Sequence, residues 1–295
     1  MAPSGSEYLT TRELAELLRI KERKVYDLAS SGQVPCSRAM GKLLFPRQAV
    51  EAWLAESSSG YAPAASVQGP PVVLGSHDPL LEWALRESRC GLATFFDGSF
   101  DGLDRFDRRE GVATGLHVFD PATKAWNVPV VQSRFAHQRI VLVEWAWRER
   151  GLIVAAKHEK KFAGIKDLKG RRVVPRQPEA GSQGLLEHLL GESGLGPKDV
   201  AFAAPARSET DAAVAVHEGA ADAAFGLKGV ARQYGLGFVP VIKERFDLMV
   251  DRRAWFEPPM QALLAFCRSG AFLSRASDHH GYDVAGFGRV HFNGA

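Results

Sequence analysis

Val173 to Leu186, VVPRQPEAGSQGLL, is the stretch from which the fold of the larger part of this chain is read. A β-rich run, Arg172 to Val174, enters a loop bounded by Pro and Gly. Gly181-Ser182-Gln183-Gly184 then opens a helix carrying Leu185, Leu186, Leu189 and Leu190 on its apolar face. Strand, glycine loop and helix start together make an anion seat. The first N–H groups of a helix lack intrahelical partners and lie at the positive end of its dipole, where a small hydroxyl can add one more hydrogen bond. The loop is no Walker A, since no Gly-Lys-Ser/Thr follows.

The same grammar occurs twice upstream. Val72-Val73-Leu74 is a strand whose exit loop, Gly75-Ser76-His77-Asp78-Pro79, precedes a helix with Leu80, Leu81, Trp83, Ala84 and Leu85. Gly91 to Phe95 is a second strand, leaving through Phe96-Asp97-Gly98-Ser99 into a helix with Leu103 and Phe106. Val112 to His117 is a third. Short β-branched runs alternating with helices predict an α/β sheet, in which ligands gather outside the carboxyl ends of strands. Further strands are expected at Ile140 to Val143, Leu152 to Ala156, Val200 to Ala203, Ala220 to Leu227, Phe238 to Val241 and Leu248 to Val250, with a helix from Thr210 to Gly219. Two closing helices are expected near Met260 to Arg268 and Ala271 to Ser277. An out-and-back path of this kind predicts two lobes, one of about 72–153 with 242–295 and one of about 154–241, around a cleft that suits a small ligand.

Composition bounds the rest. At 295 residues the chain has room for two or three domains. A net charge of +3 announces no global basic field, so any contact with nucleic acid must be local. Cys36, Cys90 and Cys267 lie far apart, without a metal-ligand spacing or a disulfide framework. The amino-terminal stretch has no signal-peptide pattern and no segment approaches the ~20 apolar residues of a membrane span, so a cytoplasmic protein is expected.

Thr10 and Glu13 have the spacing of a capping box at the start of a helix whose apolar face is Leu14, Leu17 and Leu18. After a break at Arg19-Ile20-Lys21, a second helix, Glu22 to Ser30, turns Val25 and Leu28 inward and leaves Arg23, Lys24, Tyr26 and Asp27 outside. A hairpin-like wing with Arg38 and Lys42 near its tip follows, and a helix from Arg47 to Ala55, anchored by Val50, Trp53 and Leu54, closes the unit at about residue 56. Residues 57–71, small, polar and rich in Pro and Gly, read as a linker. Helix, tight turn and helix are the parts of a DNA reader whose second helix enters the major groove. Basic and acidic side chains nearly balance here, but the bases cluster on the second helix and the wing. Lys21, Arg23, Lys24, Tyr26, Arg38, Lys42 and Arg47 are the candidate DNA contacts. One such module offers few phosphate contacts, so a homo-oligomer, dimer or tetramer, on a repeated operator is expected.

Two resemblances sharpen this reading. Leu9 to Leu54, through LTTRELAELL, the Val-Tyr-Asp-Leu helix, Gly32 and Phe-Pro-Arg before a Trp-Leu helix, resembles the excisionase-type winged helix-turn-helix related to MerR-like regulators. From Val72 to Gly288 the chain resembles the type II periplasmic-binding-protein superfamily, in the cytosolic branch fused to helix-turn-helix domains and related to molybdate-binding proteins. The matching segments are GSHDPLL at 75–81, GSFDGL at 98–103, Gly115-Leu116-His117, Arg176-Gln177-Pro178 with Gly181-Ser182, GAADA at 219–223, ERFDL at 244–248 and Gly281-Tyr282-Asp283. Where the resemblance leads one to expect Gly-Ser-Gly-Thr-Arg, this chain has Glu179-Ala180-Gly181-Ser182-Gln183, so an acid is gained and an arginine lost.

The resemblance implies a one-component regulator without catalytic residues, metal site or cofactor, which senses a small oxyanion, molybdate or tungstate first, and reports it to operator DNA. A molybdenum-cofactor-like or small organic anion is the second ligand class. An enzyme on the same fold, or an interaction module with an empty cleft, are competitors; the enzyme lacks a nucleophile–base pair, a metal triad and a cofactor fingerprint. The candidate ligand residues are Ser76, His77 (as a hydrogen-bond donor), Asp78, Gly98, Ser99, His117, Gly181, Ser182, Gln183 and Lys228, the last as a nearby cation. Each serine has the plain alternative of a helix cap. Glu244 and Arg245 are expected to pair across the hinge.

Overall fold

The computed structural model describes residues 8–39, 41–47, 49–50, 53–54 and 69–295, and the chain divides into two compact units, Met1–Val67 and Gln68–Ala295. Most of the expected linker, residues 57–68, and much of the helix expected at 47–55 lie outside the described residues.

In the first unit β1 (Tyr8–Leu9) leads into α1 (Thr11–Leu18). Thr10 Oγ1 accepts from the Glu13 amide at 3.3 Å while Glu13 Oε2 accepts from the Thr10 amide at 2.7 Å, the reciprocal cap that the sequence predicts. Arg19, with φ of 52°, turns the chain into α2 (Glu22–Ser30), and the wing is β2 (Ser37–Ala39) paired with β3 (Lys42–Pro46). The three strands run antiparallel in the order β1-β3-β2 over a core of Leu9, Leu14, Val25, Val34, Phe45 and Val50. Leu17, expected on the apolar face, is 47 % exposed instead. The buried stripe runs through Leu14 and Ala15, with Leu18 at its edge, and Leu17 falls on the other side of Leu14.

The second unit begins with β4 (Val72–Gly75), α3 (Pro79–Glu87), β5 (Ala93–Phe96), α4 (Ser99–Asp107) and β6 (Ala113–Leu116). β4 lies between β5 and β6 and is parallel to both. A small hairpin of β7 (Phe119–Asp120) and β8 (Ala125–Trp126) and then α5 (Val128–Phe135) lead to β9 (Ile140–Val154). The far half comprises β10 (Arg172–Val174), α6 (Gly181–Glu192), β11 (Ala201–Phe202), α7 (Glu209–His217), β12 (Ala223–Leu227) and α8 (Lys228–Gln233). The chain returns through β13 (Gly237–Asp251), α9 (Pro258–Phe266), α10 (Gly270–Asp278), β14 (Tyr282–Asp283) and β15 (Val290–Asn293).

One curled sheet runs in the order β11-β10-β12-β9-β13-β6-β4-β5, and β14 and β15 also pair with β9. Each half has apolar cores of its own, Leu80, Trp145 and Phe272 marking one in the first half and Leu152, Val173 and Leu186 one in the second. The two halves share β9 and β13, which pair antiparallel from Gly237↔Val154 to Asp251↔Ile140. Here the sequence reading is corrected: two strands expected at 140–143 and 152–156 are one, as are those expected at 238–241 and 248–250. Arg148, Arg150, Glu144, Glu244 and Asp247 interrupt the apolar runs, yet all five are buried and paired, so the strands pass through them unbroken.

Candidate functional site

The exits of β4, β5 and β6 converge with the start of α6. Ser76 follows β4 and its Oγ lies 2.7 Å from Ser99 Oγ at the start of α4. Ser99 Oγ also accepts from the His117 amide, at 3.2 Å, just past the end of β6. A Cβ built on Gly181 would come within 3.0 Å of Ser99 Oγ and 2.5 Å of the His117 carbonyl oxygen, so the start of α6 is pressed against the same spot. Ser182, the next residue, is 1 % exposed and its hydroxyl has no hydrogen-bond partner. None of the three serines is a helix cap; the caps are Asp78 for α3, Gly98 for α4 and Ala180 for α6.

The halves touch directly here. Phe100 N donates to the Glu179 carbonyl at 3.0 Å, and Gln177 Nε2 donates to the Asp97 carbonyl at 3.3 Å. Gly98 has φ of 116°, and a Cβ there would meet the Glu179 carbonyl oxygen at 2.7 Å, so only glycine allows this approach. Gln183 is engaged at both ends of its amide, accepting from Arg176 N at 2.8 Å and donating to Glu187 at 2.8 Å. His77 Nε2 lies 3.0 Å from Glu82 Oε2, while its Nδ1 is buried without a partner.

Beneath the crevice runs a chain of alternating charge that sequence reasoning did not foresee. Asp78 caps α3 and accepts from Trp145 Nε1 at 3.1 Å, Arg148 Nη1 at 2.7 Å and Tyr282 Oη at 2.6 Å. Arg148 reaches Glu244, and Glu244 accepts from Arg150 Nε at 2.7 Å. Arg150 Nη2 donates to Glu209 at 2.7 Å, and Glu209 lies 3.3 Å from Arg176 Nη1. Burial opposes the charge of Arg148, Arg150, Arg176, Glu209 and Glu244, and pairing outweighs it at all of these but Arg176. Arg150 and Arg176 hold the Glu209 carboxyl at about 2, Arg148 and Arg150 hold that of Glu244 well below the usual range, and Arg148 is raised by Glu244 and Asp78. At Arg176 burial outweighs Glu209 and the pKa falls. His117 Nδ1 is 3.0 Å from Glu244, but burial dominates and lowers its pKa, which favours the neutral ring.

Several expected ligand residues therefore have work elsewhere. Asp78 is committed to the charge chain, and the His117 ring is buried against Glu244. Lys228, expected as the nearby cation, pairs with Glu149 at 2.8 Å. Glu244 does pair across the shared strands, while Arg245 binds Asp247 and the Trp126 carbonyl. Among the described residues no cluster of His, Cys, Asp or Glu could hold a metal ion.

In the first unit, Lys21, Arg23, Lys24, Arg38 and Lys42 are exposed and Tyr26 is 52 % exposed, whereas Arg47 is half-buried. Arg38 and Lys42 flank the wing turn, where Arg38 pairs in register with Leu43 and Lys42 with Ala39. Tyr26, Arg38 and Lys42 line a concavity of about 630 Å³ together with Arg12, which sequence reasoning did not single out. It sits between the second helix and the wing, the two surfaces such a fold turns towards DNA.

A helix-turn-helix unit and a two-lobed α/β fold whose strand exits meet the start of a helix from the other half define the class: a binding protein joined to a DNA reader. A family model described as a PBP superfamily domain matches residues 82–268, and one described as a helix-turn-helix domain matches residues 8–58. The first covers well over half of the chain, which belongs to the PBP superfamily. YvgK of Bacillus subtilis (strain 168), an uncharacterized protein, is 24 % identical over 302 residues, 95 % of this chain and 96 % of its own. Among solved structures, a putative phosphate ABC transporter substrate-binding protein from Clostridium perfringens, with bound phosphate, is 11 % identical and overlaps 72 % of this chain and 98 % of its own at a TM-score of 0.50. The effector binding domain of QuiR in complex with shikimate is 13 % identical and overlaps 66 % and 92 % at 0.45. The likeness to the phosphate-binding protein is one of fold. No helix among the described residues is long and apolar enough to cross a membrane.

Proposed function

We propose that the chain is a ligand-responsive, DNA-binding transcriptional regulator whose effector is a small oxyanion, molybdate or tungstate first. The observation that carries the reading is the Ser182 hydroxyl, buried without a partner at the start of α6, one residue after the Gly181 that packs against Ser99. A buried hydroxyl left unpaired costs about 1–3 kcal/mol, which a bound oxygen would return. The charge of the surroundings supports the same ligand class. Arg148, Arg150 and Arg176 are matched by Asp78, Glu244 and Glu209, so recognition falls to hydroxyls and backbone amides, which suit a weakly basic oxyanion. The direct contact of the two halves at Gly98 and Gly181 favours a guest of few atoms over a large organic one.

In this reading the anion closes the lobes, closure alters the spacing of paired helix-turn-helix units in a homo-oligomer, and affinity for operator DNA shifts. Lys21, Arg23, Lys24, Arg38 and Lys42 hold phosphates, and Tyr26 faces the bases. A thermal-shift panel of molybdate, tungstate, sulfate, phosphate, formate and amino acids tests it. At about a hundred times its dissociation constant the effector adds ~2.7 kcal/mol of stability. A panel without any shift removes the oxyanion, and a response to amino acids alone replaces it with an organic ligand.

A further inference from the structure

The two ring nitrogens of His77 have different surroundings. Nε2 lies 3.0 Å from Glu82 Oε2, and Nδ1 is buried with no partner. A carboxylate can only accept, so Nε2 carries a hydrogen, and in the neutral ring Nδ1 is then a bare lone pair. His77 follows Ser76 directly at the exit of β4, the crevice where the oxyanion is placed above. A lone pair facing an anion oxygen repels it, whereas the same nitrogen carrying a proton makes a short, charge-assisted hydrogen bond. Other groups around the ring do not supply that proton. The Phe96 ring stands edge-on at 6.0 Å, and Asp97 beyond it meets Gln177 and Arg207. Asp78, next in the chain, spends its carboxylate on Leu81, Trp145, Arg148 and Tyr282. Glu82 is left to balance the charge of a protonated ring.

We propose that the bound anion and His77 share one proton, so that molybdate, which carries none at neutral pH, is captured together with a proton from solvent. The inference rests on the oxyanion reading of the crevice. No bond to the anion's central atom forms or breaks; the proton comes from the buffer and stays on Nδ1.

Calorimetric titration of the full chain with molybdate at about pH 8, in Tris and in HEPES, reads the proton directly, because the two buffers differ in ionisation enthalpy. About one proton taken up per molybdate is expected, with affinity falling as pH rises. His77→Asn offers an amide N–H near the same place without titrating, and is expected to bind with buffer-independent heat and a flat pH profile. Wild-type binding that is identical in the two buffers overturns the proposal, as does proton uptake that persists in His77→Asn. A variant that does not fold leaves the wild-type buffer comparison to decide. Absence of any heat from molybdate, tungstate and the other oxyanions fails the oxyanion reading itself, and this inference with it; heat without proton exchange fails only the shared proton.

Discussion

Glu244 shows how much of this protein is decided at single side chains. It is fully buried, lies between Arg148 and Arg150, and accepts from His117, so its carboxylate is surrounded by donors on both sides. Glu244→Gln keeps the shape but leaves two buried guanidinium groups short of one negative charge. Breaking one partner of such a network costs about 3–5 kcal/mol, which a urea titration reads as a lowered midpoint at unchanged slope. The network also sets the response to acid. Glu209 holds a carboxyl pKa of about 2, and Glu244 is lowered too, so on acidification the unfolded chain binds protons first. Their contribution is intact above the unfolded value of 4.5 and is lost as pH falls towards 2, on the order of 3 kcal/mol for Glu209. His117, lowered by burial from 6.5, acts in the same direction and begins to subtract stability below that pH. Urea midpoints at pH 7, 5 and 3 are expected to fall in that order; a midpoint that rises on acidification contradicts the network's role. The sequence carried half of this information. Glu144, Arg148 and Arg150 stand at even spacing in IVLVEWAWRERGLIV, which in a strand places them on one face. Their partners lie 59 to 147 positions away, where no local pattern reaches.

At the scale of elements, the short strands and their exit loops were legible because glycine and proline punctuate them, and Ser76 and Ser99 meet at the exits of β4 and β5 with Gly181 packed against Ser99. The long strands were not, because buried ion pairs imitate loop composition. Nor were β14 and β15, whose pairing with β9 depends on a return of the chain that residues 282–293 do not encode alone. The contact between halves depends on missing methyl groups at Gly98 and Gly181. Gly181 opens α6 without a left-handed backbone, so alanine is tolerated by the helix itself, but its Cβ would approach the His117 carbonyl to 2.5 Å. Gly181→Ala is therefore expected to push α6 away from β6 and hold the halves apart. Overpacking of this kind costs about 1–3 kcal/mol, or a loss of roughly five- to a hundred-and-fiftyfold in effector affinity. Small-angle scattering is expected to show a larger radius of gyration for the variant, with operator binding retained in the absence of effector. Unchanged effector affinity at an unchanged radius would show that this contact does not gate the crevice.

For the whole molecule, two units with separate cores impose a thermodynamic condition. If effector alters operator affinity by some factor, operator alters effector affinity by the same factor, whatever the route between them. The two units divide the residues cleanly, with Ser99 and Ser182 in the second and Arg23 on the exposed face of α2 in the first. Ser182→Ala and Ser99→Ala are expected to weaken effector by about 0.5–1.5 kcal/mol, one neutral hydrogen bond each, while leaving operator affinity without effector unchanged. Arg23→Ala is expected to do the reverse, and to lower the salt dependence of DNA binding by about one unit of slope as one phosphate contact is lost. Fluorescence anisotropy on labelled operator across a salt series, together with effector titration of the free protein and of the operator complex, measures both sides of the cycle. A coupling factor preserved in Arg23→Ala at lowered operator affinity places sensing and DNA reading in different units. If all three variants lose both activities alike, the division between crevice and recognition helix is wrong, and the two units act as a single binding surface.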